Sequence, residues 1–339
     1  MNLTTTLNLL TRKAFLFSCF ALIILIAHCS LSQALTIKSQ IEDGAWKEIP
    51  AVYPTKGQKV RLRVRAPLGT TIRWFRIIPD IAKFYHNAQW PWNPGAYQWL
   101  GYEKIQYHKC EMISFRNYPE IDPLAMDSQS LNCATEIPES PYYHADVGSF
   151  WYQVEIDQMG KIDKSPGLEG SDEKGMSPKV FRISIRDGEE YLGYLTSFFN
   201  VPAVFGSTLC QSQHHIGVDC ADAIMAAYYL WKGEETDRDD NVQSVVARFP
   251  TLVRFNINQG VPDRKILWTK TVRPGDFIAV KYLGSRSYQH IGALYKDENG
   301  DGVLDSGDVV LHAGPEPLHF SPLSEGAFDG SVVILRPEE

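Results

Sequence analysis

The segment from Cys220 to Trp231 is apolar around most of the circumference of a helix. A helix with this pattern is expected to be buried, because no face of it is polar enough to meet water. A turn that begins at Gly217 ends where the segment starts, and Gly233 follows it as a stop signal. The fold of this region must therefore cover a buried helix.

Strand-like segments follow this helix. A short second helix is predicted from Val242 to Phe249, where Pro250 ends it. Four later segments have the length and composition of strands: Asp276–Tyr282, Gln289–Lys296, Val309–Ala313 and Ser331–Leu335. The order predicts an α+β domain at residues 201–339, in which the helix packs on an antiparallel sheet.

Residues 35–200 are rich in strand patterns instead. Predicted strands, bounded by glycine and proline turns, include Val60–Val64, Thr71–Ile78, Phe150–Ile156 and Val180–Ile185. We expect a β-sandwich-like domain, for which an Ig-like arrangement is one option, and its role is not indicated. The aromatic residues at 90–95 and 141–143 either cap its core or form a ligand-binding surface.

The first 34 residues have the layout of an export signal. Arg12 and Lys13 precede the apolar stretch Ala14–Cys29, and Ser32-Gln33-Ala34 offers small residues for a signal peptidase. A permanent anchor is the alternative, but the stretch is shorter than the about 20 residues of a membrane span. We expect a periplasmic or extracellular protein with no stable membrane span after cleavage. The net charge of −7, without a basic cluster, argues against nucleic-acid binding.

Export would place the cysteines in an oxidising compartment. Cys110 and Cys133 lie in one loop-rich region, and we expect a disulfide between them. A second disulfide between Cys210 and Cys220 is an alternative that would consume the Cys220 thiol. A zinc site made by these two cysteines and the His214–His215 pair is another, although the spacing matches no strong zinc pattern.

Cys220 occupies the first position of the predicted buried helix. Free backbone N–H groups and the helix dipole favour a thiolate there. Further along the chain, His290 opens a strand-like segment and His312 lies on the next one. We therefore predict Cys220 as nucleophile, His290 as general base and His312 as the residue that orients the base. A buried structural thiol and two structural histidines are the alternative.

Four stretches carry these residues in a recognisable order: Val201–Gly206, Val218–Asp222, Pro274–Ile278 and His290–Tyr295, with His312 on the following strand. This part of the chain resembles the NlpC-type cysteine peptidases, papain-like hydrolases that cut peptides of bacterial cell walls. The resemblance implies a papain-like NlpC-type fold for residues 201–339. It also implies amide-bond hydrolysis by Cys220, with a cell-wall peptide or another peptide as substrate.

The chain departs from the family at three positions. The family usually has Ser and then Gly after the cysteine, where this chain has Ala221 and Asp222. A Tyr that helps to hold the substrate's terminal amine corresponds to Ala203 here. We therefore expect an altered pocket. The connection from Gly233 to Trp268 exceeds the loops of a compact domain, and we expect it to form a wall or lid of the cleft.

Residues 297–308 follow the EF-hand calcium-loop template. Gly302 stands at the sharp turn, and Asp308 replaces the Glu that usually closes the loop. We expect a structural calcium ion that fixes the hairpin between the strands of His290 and His312. A solvated acidic turn is the alternative. The predicted ligands are Asp297, Asn299, Asp301, Val303, Asp305 and Asp308.

Two classes of function follow from these features. The first is an exported thiol hydrolase that cleaves amide bonds, with a structural calcium site. The second is a non-catalytic cell-envelope binding or adhesion protein that retains the fold, and the changed positions Ala203, Ala221 and Asp222 favour it.

Overall fold

The computed structural model describes residues 35–87, 103–125, 130–133 and 136–337. The predicted signal segment, 1–34, and the aromatic residues 90–95 lie outside these ranges. Across them, several sheets combine with a few short helices, so the predicted α+β class is confirmed. No helix in these ranges is both long enough and apolar enough to cross a membrane.

Strands dominate the chain up to Ile185. They are β1 (Lys38–Ile41), β2 (Ala51–Val52), β3 (Val60–Arg63), β4 (Thr71–Pro79), β5 (Tyr85–His86), β6 (Tyr107–Met112), β7 (Glu120–Ile121), β8 (Leu131–Cys133), β9 (Gly148–Gln158), β10 (Lys161–Lys164) and β11 (Phe181–Ile185). One sheet has the order β1-β3-β7, and the other has the order β2-β11-β9-β4-β6-β8 with β10 paired to β9. Short 3-10 helices lie at Ile113–Phe115 and Leu168–Gly170.

The central strand of the larger sheet is β9, which lies between β4 and β11. It is buried on both faces from Gly148 to Ile156. Glu155 in this strand would be costly to bury alone. Its carboxylate forms ion pairs with Arg73, Lys109 and Lys164, which offset that cost.

The cysteines divide into one bonded pair and two free thiols. Cys110 on β6 and Cys133 on β8 are register partners and form the predicted disulfide. Cys210 is free and exposed, and Cys220 is free and half-buried. The alternative disulfide between these two is therefore absent from the structure, and the Cys220 thiol is available.

Four α-helices follow β11 in the described chain: α1 (Tyr191–Thr196), α2 (Leu209–Gln213), α3 (Cys220–Lys232) and α4 (Val242–Arg248). Two of them, α3 and α4, are the helices predicted from the sequence. The Asp219 side chain caps α3 by accepting the N–H groups of Ala221 at 2.9 Å and Asp222 at 3.0 Å. Gly233 ends α3 with φ 67°, a left-handed conformation that glycine adopts without a steric penalty.

The remaining strands build the sheet that carries the site. They are β12 (Val204–Phe205), β13 (Thr251–Asn258), β14 (Val261–Pro262), β15 (Phe277–Lys281), β16 (His290–Lys296), β17 (Val309–His312), β18 (His319–Pro322) and β19 (Gly330–Leu335). Seven of them form an antiparallel sheet of order β14-β13-β19-β15-β16-β17-β18. Strand β12 pairs in parallel with β5, so backbone hydrogen bonds join the chain on both sides of the predicted boundary near Val201.

Part of the segment expected to form a wall or lid is instead a strand of this sheet. Residues 251–258 form β13, which pairs with β19. Phe255 and Ile257 alternate with exposed residues and are buried in the core. The pairing partner lies far along the chain, so the local pattern did not reveal the strand.

The two faces of the sheet have different partners. Phe277 faces the helices, because its ring contacts those of Tyr191 in α1 and Phe249 after α4, with centroids 5.4 and 5.3 Å apart. The other face carries a core that includes Val280, Leu294, Val310 and Phe328. These residues form one cluster, because paired residues on neighbouring strands share a face of the sheet.

Candidate functional site

Both predicted histidines lie on the face of the sheet opposite to the face that carries Phe277. His290 is the register partner of Val280, and His312 is the partner of Gly292, two residues after His290. Alternation along a strand therefore puts the two imidazoles side by side. The Nε2 atom of His290 lies 3.1 Å from the Nδ1 atom of His312.

Gly292 makes this pairing possible. A Cβ atom at this position would lie 2.9 Å from the Cβ of His312 and 2.8 Å from Cγ1 of Val310. Those distances are too short for a side chain, so the glycine allows β17 to approach with His312 in place.

The histidine pair is buried in an apolar surrounding. The Phe328 ring contacts His290 and His312, with centroids 5.0 and 5.5 Å away. Burial, followed by the charge of the neighbouring His319, lowers the pKa of His290 to about 4. Burial, followed by the neighbouring His290 and His319, lowers the pKa of His312 well below its usual value. Both rings are therefore neutral at physiological pH.

Cys220 starts α3 and lies against the first residues of β16. The backbone N–H groups of Ile291 and Ala221 act on its thiol and favour the thiolate. The thiol is thus placed beside the residue that follows His290. No hydrogen bond joins it to the His290 ring within the described residues, and the Nδ1 atom of that ring has no hydrogen-bond partner there.

The acidity of the thiol differs from the sequence prediction. Burial is the largest effect and raises the pKa of Cys220 well above its usual value, and the negative charge of Asp219 raises it further. The N–H groups at the helix start lower the thiol pKa, as expected, but burial and the charge of Asp219 raise it by more. The expectation of a lowered thiol pKa is therefore wrong, because the sequence does not show how deeply the helix start is covered.

Asp222, one of the departures from the family, has a structural partner. The residue is 5 % exposed, and its carboxylate accepts a short hydrogen bond from the Ser207 hydroxyl. The Ser207 Oγ also accepts the N–H of Asp219 at 2.9 Å. Burial, then the charge of Asp219, raises the pKa of Asp222 well above its usual value. Asp222 therefore ties the start of α3 to the loop after β12.

Ala203 is buried, and its backbone is paired with two other segments of the chain. It forms a parallel bridge with Val218, and its carbonyl accepts the N–H of Tyr85. Its methyl group, 1 % exposed, does not reach solvent. A substrate contact from this position is therefore not available in this chain.

A cavity of about 310 Å³ opens along the side of α3 that carries Asp222. Met225 and Tyr229 line it from the helix, and Arg238 and Asp240 line it from the loop after Gly233. This loop is the part of the expected wall or lid that does border a cavity.

The zinc alternative at Cys210 and Cys220 gains no support from His215. This ring is fully buried, stacks on Phe198 at 3.8 Å and places its Nδ1 atom 2.9 Å from the Ser149 hydroxyl. Across the described ranges, no three or more His, Cys, Asp or Glu side chains are grouped so that they could hold a metal ion.

The predicted calcium loop has the turn of its template. Gly300 and Gly302 have φ values of 70° and 77°. The Asp297 carboxylate accepts both of their N–H groups, at 2.8 and 2.9 Å. Asp301 and Asp305 likewise accept backbone N–H groups within the loop. Carboxylate and amide oxygens are calcium ligands, so the chemistry of the loop fits the ion although the side chains do not surround a common point.

Asp308, which closes the template, is fully buried beneath the loop. One of its oxygens accepts Nε1–H of Trp268 at 2.7 Å and the N–H of Asp305 at 2.9 Å. The other oxygen accepts the N–H of Glu298 at 3.1 Å. These bonds anchor both ends of the loop to the sheet core, a role that the sequence did not indicate.

Several residues around the histidines were not singled out from the sequence. His319 pairs with His312 in register, and their ring centroids are 4.4 Å apart. Ser321 is hydrogen-bonded to His312, and Phe328 covers both rings of the pair. In the sequence, only the strand-like alternation of residues 319–321 points to His319 and Ser321.

Comparison with known proteins found no relative of this chain: no family model, no curated protein and no solved structure matches it.

Proposed function

We propose that the chain is an exported thiol hydrolase that cleaves amide bonds in peptides, with bacterial cell-wall peptides as the substrate class. The observation that carries the proposal is the free Cys220 at the start of α3, set beside β16, whose first residue His290 is hydrogen-bonded to His312. The NlpC-type resemblance of the same residues supplies the reaction class and the substrate class.

The ring nitrogens of His290 suit a general base. Its Nε2 atom is occupied by His312, which leaves Nδ1 to take the thiol proton. The thiolate would then attack the amide carbonyl and form a thioester, while His290 returns the proton to the leaving amine. Water would hydrolyse the thioester and release the free cysteine.

The raised thiol pKa determines when this proton moves. Thiol and imidazole are both neutral in the free protein, so no ion pair is formed in advance. Transfer to His290 would therefore be driven by the attack of the sulfur on the bound amide carbonyl, with His290 as general base.

Hydrolysis of soluble peptides released from bacterial cell walls tests the proposal. Mass spectrometry should detect new amine and carboxyl ends with the full chain and none with Cys220→Ala. Cys210→Ala is the matched control, because it removes the other free thiol, and it should retain activity. Equal product from Cys220→Ala and the unmodified protein would sink the proposal.

A non-catalytic envelope-binding protein is the second candidate. The raised thiol pKa and the burial of Ala203 favour it, because both remove features on which a peptidase would depend. This candidate predicts that the unmodified protein and Cys220→Ala sediment equally with purified cell walls and that neither releases peptides.

We also propose export and a structural calcium ion. The Cys110–Cys133 disulfide supports an oxidising compartment, and the N-terminal segment supports export to it. The turn geometry at Asp297 and the loop's oxygen chemistry support calcium.

A further inference from the structure

Strand β18 brings Ser321 to the face of the sheet that carries the histidine pair. Ser321 is the register partner of Val310, two residues before His312, so both side chains lie on one face. The Ser321 Oγ atom is 2.8 Å from the Nε2 atom of His312. A row of hydrogen bonds therefore runs from His290 through His312 to this hydroxyl.

The hydroxyl has His312 as its partner. Ser321 is 6 % exposed, and in the described residues its side chain makes no other hydrogen bond. A Cβ atom at Gly326 would come within 2.9 Å of Ser321 Oγ and 2.8 Å of the Phe328 ring. The glycine thus leaves room for the hydroxyl beneath the ring. Buried hydroxyl groups need a partner, and here the partner is an imidazole.

Neighbouring groups leave this bond undisturbed. His319 is close to His312, but its Nδ1 atom is 2.9 Å from the Pro317 carbonyl, to which it donates. Phe328 offers no hydrogen bond. The state of the His312 Nε2 atom is therefore set by Ser321.

The position of the protons follows from the role of His290 as a base. Its Nδ1 must be bare to accept the thiol proton, so its Nε2 carries a hydrogen and donates to Nδ1 of His312. A neutral His312 then carries its own hydrogen on Nε2, and Ser321 must accept it. The opposite order, with Ser321 donating, would place a hydrogen on Nδ1 of His290 and block it as a base.

We propose that Ser321 is a positioning residue for the thiol site: it accepts Nε2–H of His312 and so keeps Nδ1 of His290 free for the Cys220 proton. This inference rests on the proposed function of Cys220 and His290. The order of protons in the row can nevertheless be measured whether or not a peptide is cleaved.

The test uses the full chain labelled with ¹⁵N-histidine and two-bond ¹H–¹⁵N correlations, which identify the protonated nitrogen of each ring. The unmodified protein should show His290 and His312 protonated at Nε2. Ser321→Ala should shift His312 away from this tautomer, and Ser321→Thr, which keeps the hydroxyl, should retain it. A His312 ring protonated at Nδ1 in the unmodified protein, or unchanged in Ser321→Ala, would overturn the inference.

Hydrolysis provides the second arm. Ser321→Ala should lower kcat about tenfold, the loss of one hydrogen bond, with KM unchanged, and Ser321→Thr should restore it. Ser39→Ala, which truncates a buried serine in the first sheet, should behave like the unmodified protein. Equal kcat for Ser321→Ala and Ser39→Ala would count against the inference.

The two arms separate the possible failures. A protein with the expected tautomers and no hydrolysis would contradict the proposed function and leave the role of Ser321 in ordering the protons supported. If Ser321→Ala does not fold, the tautomers of the unmodified protein and of Ser321→Thr still decide the question.

Discussion

The Nε2 atom of His290 lies 3.1 Å from the Nδ1 atom of His312, in a buried pair that the Phe328 ring covers. This bond occupies one nitrogen of His290 and leaves the other for chemistry. The same burial that isolates the pair lowers the pKa of both rings. Several properties of the protein follow from this arrangement and from the packing of Cys220 beside it.

Cys220 should react slowly with iodoacetamide at pH 7. Its raised pKa leaves little thiolate, so Cys210, which is exposed, should be alkylated first. Measured in Cys210→Ala by mass spectrometry, the rate at Cys220 should rise continuously as the pH is raised to 9. Asp219→Asn, which keeps a helix cap but removes the charge that raises the thiol pKa, should increase the rate several-fold. Faster labelling of Cys220 than of free cysteine at pH 7 would contradict the pKa shift.

Acid should destabilise the protein through His290. Its pKa is about 4 in the folded protein and about 6.5 unfolded, so the unfolded chain binds more protons between these values. The stability due to neutral His290 is complete above about pH 6.5 and is lost as the pH falls towards 4, by roughly 3 kcal/mol.

Thermal unfolding at pH 7 and pH 5 measures this effect. His290→Gln should show a smaller loss of Tm on acidification than the unmodified protein. The control His86→Gln, at a half-buried site away from the pair, should lose as much Tm as the unmodified protein. The neighbouring His312, whose pKa burial also lowers, remains in all three proteins. An unchanged acid dependence in His290→Gln would refute the assignment to this residue.

Chelation of calcium should lower the Tm, because the loop at residues 297–308 joins the strands of His290 and His312. Asp297→Asn should abolish the response to added calcium in differential scanning calorimetry. Asp329→Asn is a matched control, since Asp329 also accepts two backbone N–H groups in a turn but lies outside the loop. If excess chelator leaves the Tm unchanged and the purified protein holds no calcium, the calcium proposal fails.

Gly292→Ala should destabilise the protein by about 1–3 kcal/mol, because the added methyl group would overlap Val310 and His312. Gly170→Ala, where the new Cβ would meet its nearest neighbour at 3.4 Å, should change stability by much less. Urea unfolding of both variants measures the difference. Equal midpoints for the two would show that β16 and β17 do not approach as closely as described.

Much of the fold around the site could be predicted from local patterns. The helix α3 and the strands β15, β16, β17 and β19 are marked by apolar runs with the right lengths. Strand β13 was missed, because only Phe255 and Ile257 alternate clearly and its partner is β19 at the other end of the region. Pairing over such a distance leaves little trace in either segment alone.

Only part of the candidate site could be predicted from the sequence. Cys220, His290 and His312 could be selected by residue type and position, but their relation depends on the register between Gly292 and His312. Ser321 reaches His312 only because β18 pairs with β17, and nothing in its own neighbourhood marks it.

The sequence by itself determined the class of the fold and the buried helix that begins at Cys220, because these depend on composition and local periodicity. The tertiary structure decided the acidity of the thiol, the hydrogen bond between His290 and His312, and the burial of Ala203. Desolvation and strand register arise only when distant segments pack together, so no local pattern could specify them.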